Sequence, residues 1–343
     1  MQKGFRAYYQ GNNAVYNLSV SKDPGLRLMY DWLYQYLNGT YDIHNSTPPE
    51  ADVFINGQKL NGDVVVPNTE TVAFTWEVRD GDDSGLTRVT ATFDGKPYAP
   101  GTPIDLKGMP GKHQLAITVA AAKSKTTAYT IRAASTADTM KAHVSLFAEQ
   151  KQFTTPGAPR SLHAQLDQMK RFEGKNAAQF DQFLKGFNAK LEQLYADNIV
   201  SETAYASLKE EVYDLAGNLA ENKTVTASSV EGSVSTLAPK YAVDGFSSTR
   251  WASSYVNDSW FQVDLGEAKA FDTVRIEWEF ARAKTYKILV SDDQQNWSSV
   301  IQDNDGIITA HDGKETVHFA PVTARYVKFQ GVERATDYGY SFY

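Results

Sequence analysis

The sequence contains no cysteine. That excludes disulfide staples, thiolate metal sites and a cysteine nucleophile. It also has no apolar run of ~18 residues, so no segment has the composition of a membrane-spanning helix. The opening "MQKGFRAYYQGNN" lacks the apolar centre of a signal peptide, which leaves either a cytosolic chain or an internal start in a longer one. Positive charge is short as well. Lys and Arg number 34 against 41 Asp and Glu, and the net charge of -7 argues against nucleic acid or anionic membrane as the main partner. Catalytic signatures are missing. The histidines His44, His113, His143, His163, His311 and His318 are scattered without HExxH pairing, and there is no G-x-S-x-G elbow, P-loop or dinucleotide fingerprint. The expectation is a chain that by itself hydrolyses no glycan or ester.

What is present is a chain of 343 residues, 42% hydrophobic and 22% charged. At roughly 100–200 residues per domain this predicts two or three domains, each able to bury a core. The fold class expected is multidomain and mainly β. Residues 1–47 read as the tail of an upstream domain with one helix. There "DPGLRLMYDWLYQYLNG" places Leu26, Met29, Leu33 and Leu37 at helical spacing between an Asp-Pro start and Gly39. "NSTPPE" is a linker by composition. Residues 48–134 switch to period two: "VAFTWEVRD", "TRVTATFDG" and "HQLAITVAA" alternate apolar and polar residues between turns, as in an antiparallel β-sandwich. Trp76 reads as a core residue and "DGDDSG" (Asp80 to Gly85) as an acidic solvated turn.

Residues 136–217 return to helical spacing. Leu162, Leu166 and Met169 share one face, and Phe180, Phe183, Leu184, Phe187, Leu191 and Leu194 share another. Ser201 is the expected N-cap of "SETAYASLKEEV", with Ala204, Tyr205, Leu208 and Val212 inside. Three or four helices should form a small bundle, read as a spacer. From residue 218 to 343 strands resume. In "FQVDLG" Phe261, Val263 and Leu265 alternate with Gln262 and Asp264, and "FDTVRIEW" repeats the pattern with Val274 and Ile276. Trp251 and Trp297 sit at strand entries and are assigned to the core. Tyr255 differs: it stands among Ser, Asn and Asp in "TRWASSYVNDSW", where a buried ring is not expected.

Five motifs in order, "NLAENKTVTASS", "YAVDGFSSTRWAS", "WFQVDLGEAKAFDTVRIEWE", "YKILVSDDQQNW" and "ARYVKFQGVERATDYGYS", resemble the discoidin or coagulation-factor type C fold. The nearest variant is the family 32 carbohydrate-binding module of bacterial polysaccharide hydrolases. The resemblance implies a jelly-roll sandwich at 218–343 with ligand loops at one end. It implies carbohydrate-binding residues Glu231, Tyr255, Glu279, Arg282, Tyr338 and Tyr340. It also implies a structural calcium held by Asp244, Ser247 and Thr249, although the final strand that carries a further acidic ligand lies past Tyr343. The segment at 48–134 resembles bacterial Ig-like modules. The segment at 136–217 resembles a helical module of secreted Gram-positive enzymes.

A sugar presents apolar C–H faces and a rim of hydroxyls, so its site needs exposed rings with carboxylates, amides or guanidinium beside them. The resulting expectation is the non-catalytic part of a secreted or cell-surface carbohydrate-active enzyme, lying downstream of the catalytic domain. Its partner would be a polysaccharide, a glucan or an amino-sugar polymer. Two alternatives remain open: an adhesion protein that binds a protein or phospholipid through the same loops, and the C-terminal part of another hydrolase (glycosidase, esterase, deacetylase or peptidase). Exposed apolar loop tips would favour adhesion.

Overall fold

The computed structural model describes residues 49–79, 88–120 and 124–343. The expected helix before residue 48 and the acidic turn from Asp80 to Gly85 lie outside the described residues. The first part is built of short strands: β1 (Glu50–Ile55), β2 (Gln58–Lys59), β3 (Val64–Pro67), β4 (Thr71–Val72), β5 (Phe74–Arg79), β6 (Arg88–Phe93), β7 (Lys96–Pro97), β8 (Ile104–Asp105), β9 (Gly111–Ala120) and β10 (Ser124–Ala134). One sheet has the order β2-β1-β5 and the other β3-β10-β9-β6-β7. Val53, Phe74, Leu115, Ile117 and Ile131 are buried, as period-two alternation requires, and Leu106, just past β8, is buried with them. Two expectations change. The sandwich is not wholly antiparallel, because β3 pairs with β10 in parallel, Val64 facing Ile131. The two strands are far apart in sequence, so the long connection a parallel pair needs is available. Phe74 takes the deepest position on β5, whereas Trp76 is half-buried and leans on Tyr98.

Four helices follow: α1 (Ala137–Glu149), α2 (Gly157–Phe172), α3 (Ala177–Ala196) and α4 (Glu202–Ala216). Their common core takes Leu162, Leu166 and Met169 from α2, Leu184, Phe187, Leu191 and Leu194 from α3, and Ala204, Leu208 and Val212 from α4. Phe180 and Phe183 only flank this core, at its edge. Ser201 caps α4 by accepting the amide of Ala204 at 3.2 Å, which satisfies one of the otherwise orphaned N–H groups.

The remaining strands are β11 (Thr224–Ala227), β12 (Trp251–Ala252), β13 (Trp260–Glu277), β14 (Ala283–Ser291), β15 (Ser298–Ser299), β16 (Ile308–Thr309), β17 (Lys314–Arg334) and β18 (Ser341–Phe342). The main sheet runs β11-β13-β17-β14-β15, with β16 on β14, and β12 pairs with β18 beside it. Long strands β13 and β17 stay in register from Trp260–Gln330 to Asp264–Tyr326, then shift past Gly266. Gly266 has φ +88, so it marks a bulge inside the strand and not its end. Phe261, Val263 and Leu265 are buried as the alternation predicts. Trp251, Phe261, Trp278, Tyr286, Phe329, Tyr340 and Phe342 form one aromatic core cluster, several of them edge to face. Each such pair adds about 0.5–1.5 kcal/mol beyond area burial. Trp297 is a correction. It lies half-exposed on the sheet surface under the Lys328 ammonium, 3.8 Å from its ring centroid.

Candidate carbohydrate-binding surface

The loop end of this sandwich is assembled by the core itself. The Trp251 indole donates to the carbonyl of Ser229 at 3.0 Å, and the amide of Ser254 donates to the Ser229 hydroxyl at 2.9 Å. These bonds carry the turn that begins at Glu231 against the loop after β12. On that loop Tyr255 donates its hydroxyl to the Glu231 carboxylate. This hydrogen bond holds the phenol protonated and raises its pKa above the usual tyrosine value, with desolvation and the Glu231 charge acting in the same direction. Tyr338 meets Tyr255 edge to face, ring centroids 5.7 Å apart and planes at 88°. Both rings stay about half exposed, at 48% and 52%. Pinned rings with open faces are what an apolar sugar face can stack on.

Tyr338 is held by groups that sequence reasoning passed over. Arg334, at the end of β17, donates to the carbonyls of Asp337 and Tyr338, each at 2.9 Å, and to the side chain of Asn257 at 3.0 Å. Gly339 lies so close to the neighbouring loop that a Cβ there would fall 2.3 Å from the Ser253 carbonyl. The signal in the sequence was the glycine in "DYGYS", since glycine permits close backbone approach. Tyr340 is a correction to the expected site. It is fully buried, its hydroxyl donates to the Asn257 carbonyl at 2.7 Å, and burial pushes its phenol up to about 12. Its ring packs on Phe329, and no face is left for a ligand.

Glu279 and Arg282 reach the same end by a different route. The amide of Glu279 donates to the carbonyl of Ser341, and the amide of Ser341 donates to the carbonyl of Ala281, so this turn runs beside β18. The Glu279 carboxylate accepts the amide of Ala281 at 2.9 Å and remains partly exposed. Arg282 is turned away: its guanidinium pairs with Asp312 and with the carbonyl of Ala283. Glu231 and Glu279 are both partly exposed, and beside the Glu279 turn Arg250 donates to the Ser341 hydroxyl at 3.1 Å. Phe280, next to Glu279 in the turn, is 76% exposed and was not anticipated; Val234 and Val256 are exposed on other loops. Asp244 and Thr249 meet elsewhere, on the loop after residue 243. The Thr249 hydroxyl lies 2.9 and 2.8 Å from the two Asp244 carboxylate oxygens, and Ser247 is exposed.

A family model for the F5/8 type C domain matches residues 224–343. Residues 224–343 are an F5/8 type C domain. A second model, for the FIMAH domain, matches residues 137–217, the four helices. A curated relative, the polysaccharide lyase 8 family protein HylA of Enterococcus faecalis (strain ATCC 700802 / V583), is 32% identical over 150 residues. That match covers 42% of this chain, and the chain spans 10% of the relative's length. Among solved structures, chitosan-binding module 1 of a chitosanase/glucanase from Paenibacillus sp. IK-5 is 40% identical. It covers 37% of this chain and 94% of its own, with a TM-score of 0.34. Module 2 of that enzyme, in complex with chitotriose, is 35% identical, covering 36% of this chain and 95% of its own, with a TM-score of 0.34. Among the described residues, no helix of the F5/8 type C domain, or of the rest of the chain, is long and apolar enough to cross a membrane.

Proposed function

We propose that the F5/8 type C domain binds polysaccharide through the surface of Tyr255, Tyr338, Glu231 and Glu279. On this reading the chain is an accessory region of a secreted or cell-surface carbohydrate-active enzyme whose catalytic domain lies upstream. The observation that carries it is the pinned, half-exposed Tyr255–Tyr338 pair with the Glu231 carboxylate bonded to one ring. The rings supply stacking for apolar sugar faces, and the carboxylates accept hydrogen bonds from hydroxyl or ammonium groups. The carboxylates of Glu231 and Glu279 favour an amino-sugar polymer over a neutral glucan. Such a shallow surface gives weak binding per site, and its use to an attached enzyme is a raised local concentration on the polymer.

The test is retention on chitosan, chitin, β-glucan and α-glucan at two ionic strengths. Binding to the cationic polymer should weaken with salt while binding to a neutral one does not. Glu279→Ala should reduce only the cationic ligand, and Tyr338→Ala both, by roughly 3–10-fold for an aromatic contact of about 1 kcal/mol. Failure to retain any polysaccharide refutes the proposal. A second reading, adhesion to a protein or phospholipid, rests on the exposed Phe280, Val234 and Val256. It requires retention on phosphatidylcholine vesicles that Phe280→Ser abolishes.

A further inference from the structure

The loop assigned to calcium carries a different cation. Lys112, on β9, places its ammonium 2.5 Å from the Glu221 carboxylate and 3.1 Å from the backbone carbonyl of Asp244, to which it donates. The ring of Phe246 faces the same nitrogen at 5.6 Å. The lysine stem lies along Gly245, where a Cβ would stand 3.2 Å from Lys112 Cδ. Gly245 also has φ +86, so the loop is shaped to let that side chain in. Lys112 and Glu221 keep only 19% and 28% of their side-chain surfaces exposed. This is a partly desolvated ion pair and not a solvent-washed one.

The same atoms do not suit calcium. A hard dication takes six to eight oxygens at about 2.3–2.6 Å. Here the Asp244 carboxylate takes hydrogen bonds from the Thr249 hydroxyl and from the amide of Phe246 at 3.0 Å. The Asp244 carbonyl serves the ammonium, and Ser247 is exposed. The donor set is satisfied from within the chain, so Asp244, Ser247 and Thr249 as they stand do not fit the ion. A calcium ion beside the Asp244 carbonyl would also sit within a few ångströms of the ammonium, and the like charges would repel.

We propose that this loop is a cation cradle filled by Lys112, which fastens the strands of residues 53–76, 90–117 and 127–134 to the F5/8 type C domain, and that calcium and the docked lysine are mutually exclusive. A compact ammonium with three donors suits a carbonyl and a carboxylate on one side of a loop. Calcium binding then requires Lys112 to leave, and docking of the sandwich keeps calcium out. The inference does not depend on the carbohydrate reading.

The experiment uses the full chain and compares wild type with Lys112→Met and Lys112→Arg. Calcium affinity is measured by titration calorimetry and by terbium luminescence. Lys112→Met keeps the stem and removes the charge, so it should bind calcium at least about tenfold more tightly than wild type, a conservative fraction of the repulsion removed. Lys112→Arg should remain as poor a binder as wild type. Equal calcium affinity in wild type and Lys112→Met, or no binding by either, overturns the proposal. If Lys112→Met does not fold, Lys112→Gln carries the same comparison.

Discussion

Gly331 tests whether the ligand surface is built on the core beneath it. It lies within β17, and its backbone has no left-handed requirement, so alternation alone would allow any residue there. The neighbours forbid it. A Cβ at Gly331 would lie 2.3, 2.4 and 2.6 Å from Cε2, Cζ and the hydroxyl of Tyr340. Ordinary contacts start near 3.5 Å, so the ring must shift by about 1 Å. It cannot shift freely. Phe329 packs against it with centroids 5.3 Å apart, its hydroxyl is bound to the Asn257 carbonyl, and its amide to the Ser253 hydroxyl at 2.8 Å.

Gly331→Ala should therefore cost about 1–3 kcal/mol for overpacking and a further 1–3 kcal/mol if the buried phenol loses its partner. For a unit of this size that lowers Tm by roughly 10 °C. Because the residues displaced, Ser253 and Asn257, hold the loops of Tyr255 and Tyr338, polysaccharide retention should fall in parallel. The assay is thermal unfolding of Gly331→Ala in wild-type and Tyr340→Ala backgrounds. With the ring gone, the alanine fits, and the two substitutions should be strongly non-additive. A Gly331→Ala chain melting within about 1 °C of wild type, or additive costs in the double variant, would refute the reasoning.

Three other outcomes follow from the described geometry. His113 is buried, with Nδ1 2.7 Å from an Asp94 oxygen and Nε2 2.9 Å from the Met109 carbonyl. Desolvation opposes its charge, but these two acceptors outweigh it and raise its pKa. Its stabilisation is full below about pH 6.5 and is lost as pH rises through the higher folded value, so Tm should fall from pH 6 to pH 9, and His113→Gln should flatten that slope. Ser201→Ala removes the N-cap of α4 and should cost about 1 kcal/mol in denaturant unfolding without altering glycan retention. Arg334→Ala should weaken glycan retention with little loss of stability, since it frees the Tyr338 loop and leaves the aromatic core intact; an unchanged retention profile would remove Arg334 as a positioning residue.

Legibility in the sequence tracked the physics of each signal. Helix α4 was readable because cap and stripe agree: Ser201 bonds where it should, and Ala204, Leu208 and Val212 are buried. Strand alternation in "FQVDLG" was equally plain, since a half-buried sheet imposes it on every residue. Tyr255 and Glu231 were legible as polar-loop residues, and the structure brings them into contact. Tyr340 was not separable from Tyr338 by pattern, because both precede or follow a glycine and only packing on Phe329 and Gly331 decides which ring turns inward. Trp297 failed for a related reason: a tryptophan beside a turn reads as core, yet a cation over its face satisfies it at the surface. Lys112 was invisible because its partner lies far off in sequence, the Lys112–Asp244 bond spanning 132 positions, and Arg334 because it ties a nearby loop to the distant Asn257 through backbone carbonyls that no residue pattern marks.

The helical segment was expected to be a spacer, and its last helix makes polar contacts on both sides. Residues 210, 211 and 214 of α4 are all acidic and turn to different neighbours. Glu210 pairs with Arg275 and, at 3.4 Å, with Lys314 of the F5/8 type C domain. Asp214 accepts from Arg132 and from the amide of Ser135 on the sandwich side. Glu211, fully buried, accepts from Asn68 at 3.0 Å and meets His143 of α1 at 2.7 Å. A spacer needs only length and a polar surface. One helical turn with carboxylates bound to the sandwich, to its own bundle and to the sugar-binding candidate is a joint, because losing any partner leaves a charge partly stripped of water. Lys112 adds a direct contact that bypasses the helices. These charge pairs are directional, where apolar packing is not.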